Sequence, residues 1–479
     1  MNTVQRLLSN VTLAFIANVM VKASSSLLFI FIGRNLGAAN AGIYNLGVTY
    51  FTIAMALSAW GLHELLIREV ATRREQSGHY LLNYLVMRWV LSSAAYGILL
   101  LLLRFLLPYS EEIETVIRIL ALAIFPEATF SMLQALFVAH ERLLVPTSAA
   151  FVNSVLKLGG GLWFLFQGHP VSTIAWVIPI GSTISLLVFI PALVRLFQSV
   201  PQQVTAQLSI KFNIAQLKYT PGFILIGIFS TLDFQIDALL ISLLLTKSDI
   251  GWYGGAQTVM LAFWMIPVAI RTAIYPVMAR YYQENPEKLA WFYRRANQYL
   301  LLAVLPMATG ICLLADPIIH IIFGQGFKPA ADVLQWMIWA VVFAFLNVPS
   351  ARLLIVYNHQ HQAGWMTGLS MITNVILNIW LLPRYGIVGA GIARTLASGV
   401  FFGALYFYVQ RHIIQGNILP LLWQPLLATG AMAVVVWLLR DIPLFGVILA
   451  GIIVYAVVIF LVKGVPKEDM QYIFRLTKF

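Results

Sequence analysis

The chain has 479 residues, of which 60% are hydrophobic and only 10% are charged, and its mean hydropathy is +0.85. Soluble proteins are about half apolar and about a quarter charged, so this composition excludes a soluble fold. The formal net charge of +12 would suggest a nucleic-acid partner for a soluble chain, but the composition indicates an integral membrane protein.

Continuous apolar runs, separated by polar residues, proline or glycine, predict about fourteen transmembrane helices. A bilayer core is about 30 Å thick, and a helix needs about 20 residues to cross it. The predicted spans are 11–33, 41–62, 81–107, 113–138, 146–167, 171–196, 218–245, 251–275, 298–324, 330–355, 360–384, 387–410, 419–439 and 442–463. Because the rest suffices only for short loops, the predicted fold class is an all-α integral membrane protein.

Lysine and arginine are distributed unevenly between alternate loops. With the N-terminus placed in the cytoplasm, nineteen of them fall on the cytoplasmic side and six on the outer side, as the positive-inside rule requires. The longer cytoplasmic loops are then 63–80 and 276–297, and an even number of spans returns the basic C-terminal tail to the cytoplasm. Topology therefore explains the net charge, and nucleic-acid binding is not required.

Short patterns recur in the same order in the two halves of the chain. The recurring pairs are 42–45 with 251–254, 153–157 with 374–378, and 168–171 with 386–389. Many transporters are built from such repeats. We therefore predict two pseudo-symmetric six-helix lobes, at 1–197 and 218–411, joined by a cytoplasmic linker at 198–217. Two extra helices and the basic tail occupy 412–479.

Ionisable side chains inside the predicted spans indicate the functional site, because each costs several kcal/mol, from roughly 2.5 upward, unless it faces a cavity or a partner. These residues are Lys22, Arg88, Arg118, Glu127, Lys157, Asp233, Asp237 and Arg394. Five are cations and three are carboxylates. An excess of positive charge at this depth indicates an anionic ligand, for which a phosphate or pyrophosphate group is the best candidate.

Each of these residues also has a structural interpretation. Arg88 and Arg118 lie close enough to a helix end to extend to the interface. Lys22 and Lys157 lie too deep for that, but either can form a structural ion pair with Glu127.

Asp233 and Asp237 are four residues apart and so lie on one face of a helix. They are candidates for a proton carrier or a cation site, and the alternative is a salt bridge to Arg394 or another cation. Arg34, at the end of the first span, has either a turn-fixing role or a role in ligand contact.

No metal, nucleotide or enzymatic site is indicated. Cys312 is the single cysteine, and His359 and His361 have no carboxylate or cysteine beside them. A phosphate-binding glycine-rich loop with its lysine and Ser/Thr is absent from the sequence, as are a nucleophile elbow and a hydrolase-type carboxylate pair. The sequence therefore predicts no cofactor, no metal and no enzymatic activity.

Three ordered motifs resemble a known family. They are Phe31-Ile32-Gly33-Arg34-Asn35-Leu36-Gly37 followed by Gly42-Ile43-Tyr44-Asn45, then Leu232-Asp233 and Asp237 followed by Gly251-Trp252-Tyr253, and finally Asn374 and Asn378 running into Tyr385-Gly386-Ile387-Val388-Gly389. In this order, across most of the chain, they resemble the polysaccharide-transporter branch of the MOP exporter superfamily, which includes the Wzx-type O-antigen flippases.

The resemblance implies two six-helix lobes in a V shape that open alternately to the two sides of the bacterial inner membrane. It also implies a flippase for an undecaprenyl-pyrophosphate-linked oligosaccharide, coupled to H⁺ or Na⁺, with a polysaccharide polymerase and a chain-length regulator as further partners. For the pyrophosphate and sugar cavity we predict Lys22, Arg88, Lys157, Arg394 and Arg34. For ion coupling we predict Asp233, Asp237 and Glu127.

Two alternative functions compete with a flippase. A multidrug cation antiporter of the same superfamily needs an acidic cavity, whereas cations outnumber carboxylates among the deep residues of this chain. A membrane-embedded glycosyltransferase or polymerase needs a sizeable extramembrane loop, and the predicted loops are short. The sequence therefore favours the flippase.

Overall fold

The computed structural model describes residues 3–199, 206–216, 218, 221–414 and 417–464. For 3–18, 214, 221–226 and 360 it describes the backbone alone. Parts of two predicted segments, the linker at 198–217 and the basic tail, lie outside the described residues. The described secondary structure consists of helices, and the chain forms two compact units, Met1–Gly251 and Trp252–Phe479. We call them the N-terminal unit and the C-terminal unit.

The described residues of the N-terminal unit form eleven α-helices and the first turn of a twelfth. They are α1 (Thr3–Ala59), α2 (Leu62–Thr72), α3 (Ser77–Phe105), α4 (Glu111–Leu122), α5 (Ile124–Ala139), α6 (Leu144–Phe166), α7 (Val171–Ala175), α8 (Val177–Ser185), α9 (Phe189–Ser199), α10 (Ile210–Gln216) and α11 (Pro221–Leu244). Short 3₁₀ turns lie at Arg74–Gln76 and Leu186–Val188.

Helix α12 (Lys247–Glu284) starts in the N-terminal unit and continues into the C-terminal unit. The remaining helices are α13 (Pro286–Leu313), α14 (Ala315–Phe323), α15 (Lys328–Met337), α16 (Trp339–Val356), α17 (Gln360–His412), α18 (Trp423–Leu438) and α19 (Leu444–Leu461). Two further 3₁₀ turns lie at Gln325–Phe327 and Leu419–Leu421.

Twelve helical segments of the described chain are long and apolar enough to cross a membrane. The two longest, Val19–Ala59 with 41 residues and His361–His412 with 52, are far longer than one crossing needs. Each is broken at a glycine with positive φ, Gly37 at 81° and Gly386 at 56°, a conformation that favours glycine. Counting both sides of each break gives fourteen crossings, so the predicted fold class is confirmed.

The interpretation of 63–80 and 276–297 as loops is wrong. Helix α2 occupies most of the first segment, because Leu62, Leu65 and Leu66 lie on one helical face and are buried against α3 and α5. In the second segment, α12 continues to Glu284 and α13 starts at once. Asn285 caps α13 by accepting a hydrogen bond from the backbone N–H of Glu287 at 2.7 Å.

The position of the lobe boundary stays a prediction. The sequence places the boundary in the linker at 198–217, whereas the contacts within the chain group α11 and the first turn of α12 with the N-terminal unit. Helix α11 packs on α1.

Candidate functional site

A cavity of about 480 Å³ lies inside the N-terminal unit, between α1, α5 and α6. Apolar side chains and neutral polar side chains make up most of its wall. The neutral polar residues are Ser25, Thr52, Ser131, Gln134, Thr147 and Asn153. Among the residues that line it, Glu127 and Lys157 are the charged ones. The cavity therefore combines a hydrogen-bonding surface with one carboxylate and one ammonium group.

The two charged side chains form an ion pair. The Lys157 ammonium donates to Glu127 Oε1 at 3.0 Å. The Ser182 hydroxyl donates to the same oxygen at 2.6 Å, and the Asn153 amide nitrogen approaches it at 3.3 Å. Asn153 and Lys157 lie one turn apart on α6, so their side chains lie on the same face of that helix. Ser182 lies on α8. We call these four residues the Glu127 cluster.

Burial makes the ion pair strong and also makes it costly to break. The side chains of Lys157 and Glu127 are 14% and 20% exposed, respectively, which leaves an edge of each open to the cavity. Removal of one partner of a buried pair leaves an uncompensated charge and costs about 3–5 kcal/mol. An anion that enters the cavity competes with Glu127 for Lys157, whose ammonium has three N–H donors.

A close fit of α6 against α1 helps to shape the wall of this cavity. A side chain on Gly161 would overlap Leu28, which is 1% exposed, whereas a Cβ on Gly159 meets nothing within 4 Å. Gly161 therefore allows α6 to approach α1 closely near the helix face that carries the Glu127 cluster.

The structure places Arg88 in a buried position beside the C-terminal end of α1. Its guanidinium donates to the Met55 carbonyl at 3.4 Å, and its side chain is 3% exposed. Its Nε and Nη1 atoms have no hydrogen-bond partner among the described residues. A cation near the C-terminal end of a helix stabilises the helix dipole, so this contact is compatible with a structural role for Arg88. Its assignment to substrate stays a prediction.

The other predicted cations are distributed over the molecule. Lys22 is exposed on α1, next to the cavity-lining residue Val21, and Arg34 is exposed one turn before the break at Gly37. Arg394 is 4% exposed on α17 in the C-terminal unit.

Asp233 and Asp237 lie one turn apart on α11, in the N-terminal unit, and Asp237 is fully buried. The structure therefore brings Glu127 and Lys157 together, and places the two aspartates on a different helix. Their role in ion coupling stays a prediction.

A second feature of the N-terminal unit is a backbone contact between α1 and α12. A side-chain carbon on Gly42 would overlap the carbonyl oxygen of Lys247, and one on Gly251 would overlap the carbonyl oxygen of Ala38. Lys247 and Ala38 each lie four residues before the glycine of their own helix, so the contact is two-fold symmetric. The two glycines open one pair of the recurring sequence patterns. We call this the glycine contact.

Polar links accompany the glycine contact. Thr49 donates to Gln235 at 3.3 Å, the Tyr109 hydroxyl bonds to the hydroxyls of Tyr50 and Ser242 at 3.0 and 2.6 Å, and Lys247 pairs with Glu112 at 3.0 Å. These links join α1 and the start of α4 to α11 and α12. The ionic link between Lys247 and Glu112 is weak, because both side chains are exposed.

Sequence reasoning missed Ser182 and the links to α11 and α12. Serine and threonine are ordinary packing residues in membrane helices, so nothing local distinguishes Ser182. The glycine contact carried a signal, because its two segments match each other in the repeat, but a repeat does not show that its copies touch.

The chain is similar in sequence to known proteins. Residues 36–332 match the family Polysacc_synt_3, described as "Polysaccharide biosynthesis protein". A curated relative from Haloferax volcanii, "Probable low-salt glycan biosynthesis flippase Agl15", is 23% identical over 392 residues, which cover 81% of this chain and 80% of the relative.

Two solved structures are similar in fold. A structure described as "Lipid II flippase MurJ, inward closed conformation" has a TM-score of 0.76 at 15% identity and covers 94% of this chain and 98% of its own. An inward-facing multidrug resistance MATE family transporter of the MOP superfamily has a TM-score of 0.67 at 15% identity, with coverages of 82% and 94%. The chain therefore has the fold of MOP superfamily transporters.

Proposed function

Because the chain belongs to the polysaccharide biosynthesis protein family, we propose that it is a flippase for a polyprenyl-pyrophosphate-linked oligosaccharide. It moves this lipid from the cytoplasmic to the outer leaflet by alternating access, as a transporter rather than an enzyme. The name of the Haloferax relative and the MurJ-like fold support the proposal. Because that relative is archaeal, we assign the protein to the cytoplasmic membrane without restricting it to bacteria, with both termini in the cytoplasm.

The Lys157–Glu127 pair is the observation that carries the proposal. Lysine binds phosphate as a point charge, and Lys157 faces a cavity whose lining, apart from Glu127, is neutral. The neutral polar residues of the wall offer donors and acceptors to a sugar. The pyrophosphate therefore lies next to Lys157, and the oligosaccharide extends along the polar wall.

The same pair argues against a multidrug cation antiporter, although the fold accommodates one. An organic cation needs an accessible carboxylate in a low-dielectric cavity. In this cavity the carboxylate of Glu127 is already neutralised by Lys157 and holds two further hydrogen bonds. Glu127 Oε1 therefore already meets three donors, whereas the ammonium of Lys157 donates one hydrogen bond among the described residues and has two N–H groups left for an anion.

The two-lobe organisation is part of the proposal. The glycine contact supports a repeat of six helices, because it joins corresponding segments of the two copies by a symmetric contact. A polysaccharide polymerase and a chain-length regulator are proposed partners, since a flipped repeat unit of an O-antigen type must be polymerised on the outer side.

Surface glycan in a deletion strain complemented with variants tests this proposal. Lys157→Ala is expected to reduce surface glycan, normalised to protein level, at least tenfold, because the pyrophosphate loses its ammonium partner, about 1.4 kcal/mol or more of binding. Exposed Lys22→Ala is expected to have a smaller effect, and Arg88→Ala to lower the amount of folded protein. Glycan is measured by extraction and gel analysis, and protein by immunoblotting.

Lys288→Ala, an exposed cation on α13, is the matched control and should leave the glycan unchanged. If Lys22→Ala, Arg88→Ala and Lys157→Ala all preserve surface glycan, the cationic cavity is not the substrate site. Glycan made normally in the deletion strain would refute the flippase itself.

A further inference from the structure

The Glu127 cluster contains more than an ion pair. Glu127 Oε1 accepts three hydrogen bonds, from an ammonium, a hydroxyl and an amide. Such a carboxylate is well satisfied while Lys157 is present. When the ammonium leaves, a charged group remains in a largely buried position, and it either draws Lys157 back or takes up a proton.

Asn153 supplies a second, independent observation. Its side chain is 5% exposed, and its Oδ1 accepts no hydrogen bond from the residues that the structure describes. A buried carbonyl oxygen without a donor is destabilising, because it has lost its hydrogen bonds to water. A protonated Glu127 provides the missing donor after a half-turn of the amide, because the Asn153 amide already lies beside the carboxylate. The cluster is therefore complementary to a neutral carboxyl group as well as to an ionised one.

We propose that anion binding at Lys157 is linked to uptake of one proton by Glu127. The ammonium exchanges its hydrogen bond to Glu127 for one to a phosphate oxygen of the ligand and stays protonated. A proton from cavity water binds the Glu127 carboxylate, which then donates to Asn153. On release the steps reverse, and Lys157 returns to Glu127 as the proton leaves. The proposal rests on the proposed function for the identity of the anion, and it assigns a proton-binding site in the transport cycle to Glu127.

Other charged groups surround the cavity and must be separated from this effect. His63 on α2 hydrogen bonds to Ser131 on α5, Arg88 on α3 to the carbonyl of Met55 on α1, and Lys22 on α1 is next to Val21. Helices α6 and α8 contribute Lys157 and Ser182. His63 is an imidazole that hydrogen bonds to a residue of the cavity wall, Ser131, so His63→Gln is the necessary control.

Calorimetry with farnesyl pyrophosphate, a soluble polyprenyl pyrophosphate, tests the linkage on the purified full-length protein. Titrations in buffers of different ionisation enthalpy give the number of protons taken up. The wild type and His63→Gln are expected to take up about one proton more per ligand than Glu127→Gln, and to gain more affinity at lower pH than that variant does, by up to about tenfold per pH unit. Glu127→Gln is expected to bind more tightly than the wild type at neutral pH, and it reports the protons exchanged by the terminal phosphate of the probe, which also titrates.

Lys157→Gln is expected to weaken binding at least tenfold, whereas Lys157→Arg retains most of it. Equal proton uptake and equal pH dependence in the wild type and Glu127→Gln overturn the linkage while leaving the flippase proposal intact. A wild type that does not bind the probe also overturns it. The proposed function fails separately, if the wild type does not move a lipid-linked glycan between leaflets.

Discussion

Gly42→Val and Gly251→Val are each expected to abolish transport while leaving a folded protein in the membrane. A side chain at either position overlaps a backbone carbonyl of the opposite helix, Lys247 or Ala38, and a backbone cannot rotate away as a side chain can. The helices must separate, so the conformation with this contact is lost. A transporter that alternates between two conformations stops when one of them is forbidden.

The expected loss exceeds what the polar links near the contact can cause. Overpacking of this kind costs about 1–3 kcal/mol or more, whereas an exposed ion pair such as Lys247–Glu112 contributes about 0–1 kcal/mol. Glu112→Gln should therefore transport nearly as well as the wild type. Surface glycan, normalised to protein level, is the measurement.

Gly159→Val is the matched control, because it is the same substitution in a membrane helix where a Cβ meets nothing within 4 Å. It should retain transport. Normal transport by Gly42→Val would show that the glycine contact is dispensable.

Lys157→Gln, Glu127→Gln and the double variant are expected to separate stability from transport. Lys157→Gln leaves Glu127 without its counter-ion and should lower the free energy of unfolding by about 3 kcal/mol. The double variant replaces both charges with neutral groups of similar shape and should recover most of that loss. All three should transport poorly, since the double variant lacks the ammonium and Glu127→Gln cannot draw Lys157 back when the anion leaves.

Thermal unfolding in detergent and surface glycan are measured on the same variants. Arg118→Gln is the control, because its pair with Glu114 is more exposed, at 45% and 21%, and should contribute at most about 1 kcal/mol. A double variant that regains both stability and transport would show that the pair is purely structural.

The number of spans was predictable because apolar run length sets the crossing of a bilayer. The joining of two pairs of spans through Gly37 and Gly386 was not, because the polar residues before each glycine, such as Arg34 and Arg384, predict a loop, whereas the helix continues to the glycine on one side and from it on the other. Helix α2 was missed since its apolar face is too short for a membrane span and becomes visible only when packed on α3 and α5.

The sequence identified charged residues of the candidate site, but it did not show which groups are their hydrogen-bond partners. Depth alone identified Glu127 and Lys157, and their pairing was one of two interpretations until the structure placed the two groups 3.0 Å apart. Arg88 shows the limit of that reasoning, because a deep cation can serve a helix end as well as a ligand. The distinction depends on which carbonyls lie nearby, which only the tertiary structure gives.

Translocation in proteoliposomes tests the central claim most directly. The purified protein is reconstituted with a fluorescent polyprenyl-pyrophosphate-linked oligosaccharide, and the fraction of probe that reaches the outer leaflet is followed with a membrane-impermeant quencher. The wild type is expected to exchange the probe between leaflets at least tenfold faster than Lys157→Gln or protein-free liposomes. Exchange by the wild type no faster than in protein-free liposomes would contradict the account.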